Sequence, residues 1–268
     1  AYGKTLLKNA LDKFRPALVA TNATLASQLA REMLKKTDIP QVFFTVSDPV
    51  GSGLVTAIGK PSQSNITGIV HMIKRETRIN LVLDLVRTAS PKLPVTIGFV
   101  HSTYPSSMGD IRELKQAARS MPDIRFVSEH IEYRKMPAGK TFMLSDARVA
   151  IRKAAGKIDY WWEPSGPLGE LNEFTSMLME ESNKPIIMGM NIDSVKLGAL
   201  LHLTPHPETT GREAALMADA IINGKAPGDI PVMPPSSFDL GVNITTALKN
   251  NMVIPQKLLE LAGDQIFK

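Results

Sequence analysis

Cysteine is absent from the 268 residues, and that absence removes disulfides, thiolate nucleophiles and Cys-ligated zinc together. It suits an exported chain as well as a cytosolic one. Long apolar runs are also missing, since none approaches the roughly 18 residues of a membrane span. A basic stripe is missing too. Lys plus Arg outnumber Asp plus Glu by only 31 to 26, and the excess is spread along the chain, which argues against a nucleic-acid partner. The usual signatures of chemistry are lacking: there is no Gly-x-Ser-x-Gly turn and no dinucleotide fingerprint after a strand. Gly139-Lys140-Thr141 ends like a phosphate loop, but Arg134 stands where that loop needs its first glycine, and no strand leads into it. His202 and His206 are separated by Pro205 and have no carboxylate motif around them, so they read as surface or capping histidines and not as metal ligands. No signal peptide is visible at Ala1, so one was either processed off or never present.

What is present is a strand and helix rhythm. Apolar segments at Ala17 to Thr21, Val42 to Val46 and Ile66 to Val70 alternate with helical spacing at Lys4 to Phe14 and in the stretch of Leu25, Leu29, Met33 and Leu34. The pattern restarts at Val95 to Val100 after a helix at Glu76 to Thr88. It continues through strands at Ile124 to Val127, Ile158 to Trp162, Pro185 to Met188 and Ala199 to Leu203, with helices at Asp146 to Ala155 and Glu170 to Ser182. A long connection, Glu129 to Leu144, is expected to wander over the surface. A helix at Thr209 to Asn223 precedes a proline-rich run, Pro227 to Pro235, that suits a connector between lobes. A strand near Phe238 to Asn243 and helices at Thr245 to Asn250 and Gln256 to Ala262 close the chain. Alternation of this kind predicts an α/β fold with parallel sheets, in two lobes.

Thr45 to Leu54, TVSDPVGSGL, concentrates a strand end, a polar turn and a helix entrance into ten residues, with Gly53 to Ile58 expected to form a short helix. Ligands of open α/β sheets sit at the carboxyl ends of strands. The corners there are Thr21 to Thr24, Ser47-Asp48, Ser102 to Ser107, Glu163 to Pro167 and Asn191 to Ser194. Helix caps alone account for about half of such polar residues. Trp161 and Trp162 point to opposite faces of their strand, and a pair of core tryptophans is the favoured reading over one lining a cleft.

Val46-Ser47-Asp48-Pro49-Val50-Gly51-Ser52-Gly53-Leu54-Val55, followed by Lys60-Pro61 and Asn65-Ile66-Thr67-Gly68, resembles a signature of bacterial ABC-transporter substrate-binding proteins, in the branch linked with tryptophan and tyrosine uptake. The resemblance extends through Asp193 to Leu200, Gly224 to Val232, Asn243 to Ala247 and Ile254-Pro255. It implies a type I periplasmic-binding fold, with two Rossmann-like lobes joined by crossover hinges and a ligand clamped between them. The lobes are expected at residues 1–72 with 206–235 and at 73–205 with 236–268. The resemblance also implies an additional βα unit ahead of Ala1.

By position, Thr21, Asn22, Ala23, Thr24, Ser47 and Asp48 would line the cleft from the first lobe. Ser102, Thr103, Tyr104, Ser106, Glu163, Ser165, Gly166, Asn191 and Asp193 would line it from the second. One corner departs from the family. Where an Asp or Asn is common, this chain reads Pro164-Ser165-Gly166-Pro167, so a carboxylate for a ligand ammonium has to come from Glu163, Asp48 or Asp193. The expected role is that of an extracytoplasmic receptor, periplasmic or lipid-anchored, that hands an amino acid, small carboxylate or aromatic compound to ABC permease subunits. It is expected to be a monomer without cofactor, metal or catalytic residue. The alternatives are a ligand-sensing domain of a regulator with the same fold and a sugar- or nucleotide-handling Rossmann enzyme.

Overall fold

The structure, a computed structural model, describes residues 2–268. By internal packing the chain divides into two compact units, Ala1–Met72 with Pro205–Phe238, and Ile73–Thr204 with Asp239–Lys268. The chain therefore crosses between them three times.

In the first unit, α1 (Tyr2–Phe14) leads to β1 (Val19–Asn22), α2 (Thr24–Leu34), β2 (Gln41–Val46) and β3 (Ile66–Val70). The three strands form a parallel sheet in the order β1-β2-β3. Alternation along β2 sends Val42 to one face and Phe43 to the other. Val42 packs with Ile69, Ala214 and Ile221, and Phe43 with Leu54, Ile66 and Val232. No residue of α1 is buried, and Leu6 and Phe14 are 50% and 68% exposed, although its apolar spacing is helical as expected.

The second unit runs through α3 (Arg75–Thr88), β4 (Val95–Ser102), α4 (Pro105–Ala117), β5 (Ile124–Ile131), α5 (Lys140–Ala155), β6 (Tyr160–Trp162), α6 (Asn172–Ser182), β7 (Ile186–Gly189), α7 (Ile192–Leu197) and β8 (Leu201–Pro205). After α8 (Pro207–Ile222), which belongs to the first unit, come β9 (Phe238–Asn243), α9 (Ile244–Lys249), α10 (Gln256–Ala262) and β10 (Ile266–Phe267). The sheet order is β10-β9-β8-β7-β6-β4-β5.

Trp161 and Trp162 organise its two faces. Trp161 is buried with Met143, Ile151 and Phe174 of α5 and α6, and its Nε1 donates to Ser182 Oγ at 2.7 Å. Trp162 is buried on the other face against Phe99 and Phe126, with its ring under the Arg78 guanidinium at 4.9 Å. Both tryptophans are core residues. Gly98, in register with Trp161, makes room for that ring, since a Cβ there would sit 2.8 Å from it.

Four expectations need correction. Gly53 to Ile58 is not a helix; turn bonds such as Leu54 N–H to Pro49 O at 3.0 Å and a positive φ at Gly53 break it, while Leu54 and Val55 are pulled into the core. The connection at Glu129 to Leu144 shrinks to residues 132–139, because β4 and β5 keep an unbroken ladder from Val95 and Ile124 to Ser102 and Ile131, and α5 already starts at Lys140. The proline-rich run is not a bare connector. Ile230 and Val232 are buried, and Pro231 and Met233 bridge to Pro61 and Ile69 at positions where a missing proline N–H costs no ladder bond. His202 lies buried on β8 next to Thr204 Oγ1, whereas His206 does cap α8 by accepting from Thr209 N–H at 3.2 Å.

Candidate functional site

In the second unit the strand order reverses around β4. From β4 the chain winds through α4 to β5 on one side and then crosses through α5 to β6 on the other. Such a switch leaves a crevice outside the carboxyl ends of the two strands, where neighbouring connections diverge. The corners at that point are Ser102 to Ser107 after β4 and Glu163 to Gly166 after β6. They are knitted together: Ser107 Oγ donates to the Ser165 carbonyl, and Ser165 Oγ donates to the Ser106 carbonyl at 3.0 Å. Tyr104, buried, packs edge-on against Tyr133 with ring centroids 4.9 Å apart, and Thr103 Oγ1 accepts the Tyr133 N–H at 2.9 Å.

Gly166 has φ +94°, a conformation that favours glycine. A Cβ at this position would meet Ser107 Oγ at 2.7 Å, Ser106 Oγ at 3.1 Å and Tyr104 Cδ1 at 3.3 Å. The space that a side chain at 166 needs is thus taken by α4.

Glu163 is 1% exposed. Its Oε2 accepts from the Met190 N–H at 2.7 Å and from Ser194 Oγ at 2.6 Å, with the Thr175 hydroxyl 3.4 Å from that same Ser194 Oγ, whereas Oε1 is buried with no hydrogen-bond partner among the described residues. Burial, opposed by these hydrogen bonds, pushes its carboxyl up to about 7. Asn191 caps α7, with Oδ1 accepting from Ser194 N–H at 2.9 Å and Nδ2 donating to Glu170 Oε2 at 3.2 Å. Asn191, Asp193 and Glu170 line a depression of about 520 Å³. Asp193 is exposed and paired with Lys196 at 2.8 Å.

The first unit brings Thr21 to Thr24 and Ser47-Asp48 together at the ends of adjacent parallel strands. Thr21, Thr24, Ser47 and Asp48 are buried and Asn22 is exposed. Ala23 holds φ 69° and ψ 161°, a region that residues other than glycine rarely enter, and no side chain caps α2 there. Thr45, near the end of β2 and three residues before Asp48, also has positive φ, at 56°. Asp48 Oδ1 accepts from Gly51 N–H at 2.7 Å, so it does serve as a turn cap. Beneath the corner lies a polar network that the sequence does not announce. Gln41, fully buried, donates through Nε2 to Ser27 O at 2.9 Å and to Thr21 Oγ1 at 3.1 Å, and Ser27 Oγ reaches the Ala23 carbonyl at 2.8 Å. Ser194 falls in the corner expected at Asn191 to Ser194, whereas Ser27, Gln41 and Thr175 lie outside every expected corner. Polar residues inside apolar stretches are the one signal that marks them.

The family model for ABC transporter substrate binding proteins matches residues 5–266, nearly the whole chain. The chain belongs to that family. Its members are solute-binding proteins, not enzymes. Among its relatives is the tyrosine-binding protein of Clostridioides difficile, 28% identical over 230 residues, which are 85% of this chain and 61% of that one. The chain therefore spans less than two thirds of that curated relative. Of the solved structures, the ABC domain from Streptococcus pneumoniae in complex with L-Trp superposes with a TM-score of 0.75 at 22% identity, covering 99% of this chain and 85% of that one. A conserved domain protein from Vibrio cholerae O1 El Tor gives 0.74, also at 22% identity, covering 100% and 83%. These structures establish the α/β fold with parallel sheets of type I periplasmic-binding proteins. In this substrate-binding protein no helix among the described residues is long and apolar enough to cross a membrane, and no group of three or more His, Asp or Glu there is placed to hold a metal.

Proposed function

We propose that the chain is the extracytoplasmic receptor of an ABC importer, and that it clamps a small organic carboxylate with an aromatic group between its two units and hands it to the permease. The observation that carries this reading is the gathering of hydroxyls, amides and uncapped helix starts at the strand carboxyl ends of both units, in a family whose members bind solutes. Thr21 to Thr24 with Ser47 and Asp48 would face the solute from the first unit. Ser102 to Ser106, Ser165, Gly166 and Asn191 would face it from the second. Closure would then be a shift between open and closed arrangements that the solute favours by touching both.

The relatives' names point to aromatic amino acids, as a tyrosine-binding protein and an L-Trp complex are among them. The corner at Gly166 supports a solute without an ammonium group. It offers no carboxylate, it has no room for one, and Glu163 is enclosed. A thermal-shift series tests this with L-tyrosine, L-tryptophan and their deaminated propionate analogues. A solute at about 100 times its dissociation constant stabilises the folded state by about 2.7 kcal/mol, worth a few degrees in melting temperature. The propionates are expected to stabilise at least as well as the amino acids. Strong stabilisation by the amino acids alone would show that the ammonium is read and overturn the assignment.

A further inference from the structure

Glu163 is a buried acid to which solute binding gives no direct role, since 1% of it is exposed. Yet its carboxyl is the hub of a chain that ends at the surface. Ser194 Oγ donates to Glu163 Oε2 at 2.6 Å, the Ser194 N–H donates to Asn191 Oδ1 at 2.9 Å, and Asn191 Nδ2 donates to Glu170 Oε2 at 3.2 Å. The Met190 N–H, next to Asn191 in sequence, also ends on Glu163 Oε2, at 2.7 Å. One oxygen of one acid therefore sets both the backbone before Asn191 and the serine that fixes its side chain. The other oxygen, Oε1, has no hydrogen-bond partner among the described residues.

We propose that Glu163 is a positioning residue for the Asn191 corner, acting through Met190 and Ser194, and that the proton it gains or loses changes how that corner receives solute. This rests on the reading above that Asn191 faces the solute. The groups packed around Glu163 leave its charge uncompensated. From α6 comes the Thr175 hydroxyl, from α7 the Ser194 hydroxyl, from the turn after β7 the Met190 N–H, and from the loop after β6 a second acid, Glu170, whose charge opposes ionisation. Glu173 and Asp193 nearby are already engaged by Lys140 at 2.5 Å and Lys196 at 2.8 Å. No cation reaches Glu163 among the described residues. Ionised, the carboxylate accepts from the Met190 N–H and from Ser194 Oγ through Oε2. Protonated, it carries a hydrogen that either turns Ser194 Oγ into an acceptor or points from Oε1, and the grip on Ser194 and Asn191 slackens. Burial raises the carboxyl from 4.5 to about 7, which brings this change into the range of ordinary working pH. The sign for folding follows. An acid raised in the folded state contributes stability that is complete below its unfolded value, near 4.5, and is lost as pH rises through about 7.

The test uses the full chain with carbon-13-labelled glutamate, titrated by NMR from pH 5 to 9 without solute. Glu163 is expected to titrate near neutrality, and the amides of Met190, Asn191 and Ser194 are expected to move with the same midpoint. In Glu163→Gln the amide titration should vanish, and in Ser194→Ala, which keeps the acid, the Glu163 midpoint should rise because a bond favouring the ionised form is gone. Indole-3-propionate is the probe for binding. Its affinity should change by about fivefold between pH 6 and 8 in the parent and stay flat in Glu163→Gln. Amides that ignore the Glu163 midpoint overturn the proposal, and so does a pH-independent affinity in a chain whose corner titrates. If the probe fails to bind at every pH, it is the solute assignment that falls, and the solute-free titration still decides the role of Glu163.

Discussion

At the residue scale the site is supported by groups that turn their polarity inward. Ser27 donates to the Ala23 carbonyl, Gln41 in turn donates to the Ser27 carbonyl, and Ala23 sits at φ 69° and ψ 161°. Such conformations cost residues other than glycine of the order of 1–3 kcal/mol, and they persist where surrounding bonds over-determine them. Replacing Ala23 with Gly relieves that cost and adds unfolded-state entropy, so a net gain of about 1 kcal/mol is expected in urea denaturation. A loss of stability would mean that Ala23 is not strained. The strain itself was not legible: Asn22-Ala23-Thr24 reads as an ordinary strand exit, and positive φ at a non-glycine residue comes from packing, not from side-chain preference.

Among the elements, the helices at the strand ends show how far sequence patterns reach. α6 and α8 follow their apolar spacing to within a few residues of expectation, because period-3.6 burial is written in the side chains. α7 does not, since six residues carry too little periodicity to register, and it is Asn191 that starts it. Asn243 is a second capping residue of this kind. Its Oδ1 accepts the Thr246 N–H at 2.8 Å, and its Nδ2 donates to the Val195 carbonyl of α7 at 2.9 Å, so one buried amide holds α9 and α7 together. Asn243→Ala removes a cap and leaves a buried carbonyl short of a donor, and a loss of about 2 kcal/mol is expected by chemical denaturation. Asn243→Asp should recover the cap and not the bond to Val195. If both variants are as stable as the parent, the two helices are held by packing alone.

For the whole molecule, the division into two compact units rests on a restart of the βα plan at β4, with three chain crossings between the units. Solute-driven closure is the prediction that belongs here. With spin labels on the exposed residues Val50 and Leu197, one in each unit, the distance distribution is expected to shorten and narrow when a stabilising solute is added. A distribution unchanged at saturation would mean that the solute occupies one unit without engaging the other.

The residues alone determined the α/β class, the strand and helix rhythm and the family, because burial periodicity and an ordered series of motifs are local properties. They also placed the polar corners at strand ends. Tertiary structure decided what each corner residue does. Glu163 reads in sequence as a ligand carboxylate, but the strand geometry turns it under α6 and α7, where it takes two donors on one oxygen and stays out of solvent. Gly166 reads as one more residue of a strand-end corner, whereas Ser106, Ser107 and Tyr104 occupy the volume that any other side chain would need there. Those outcomes depend on which distant segments arrive at the same place. Only the closed set of packing and hydrogen bonds in the folded chain specifies that.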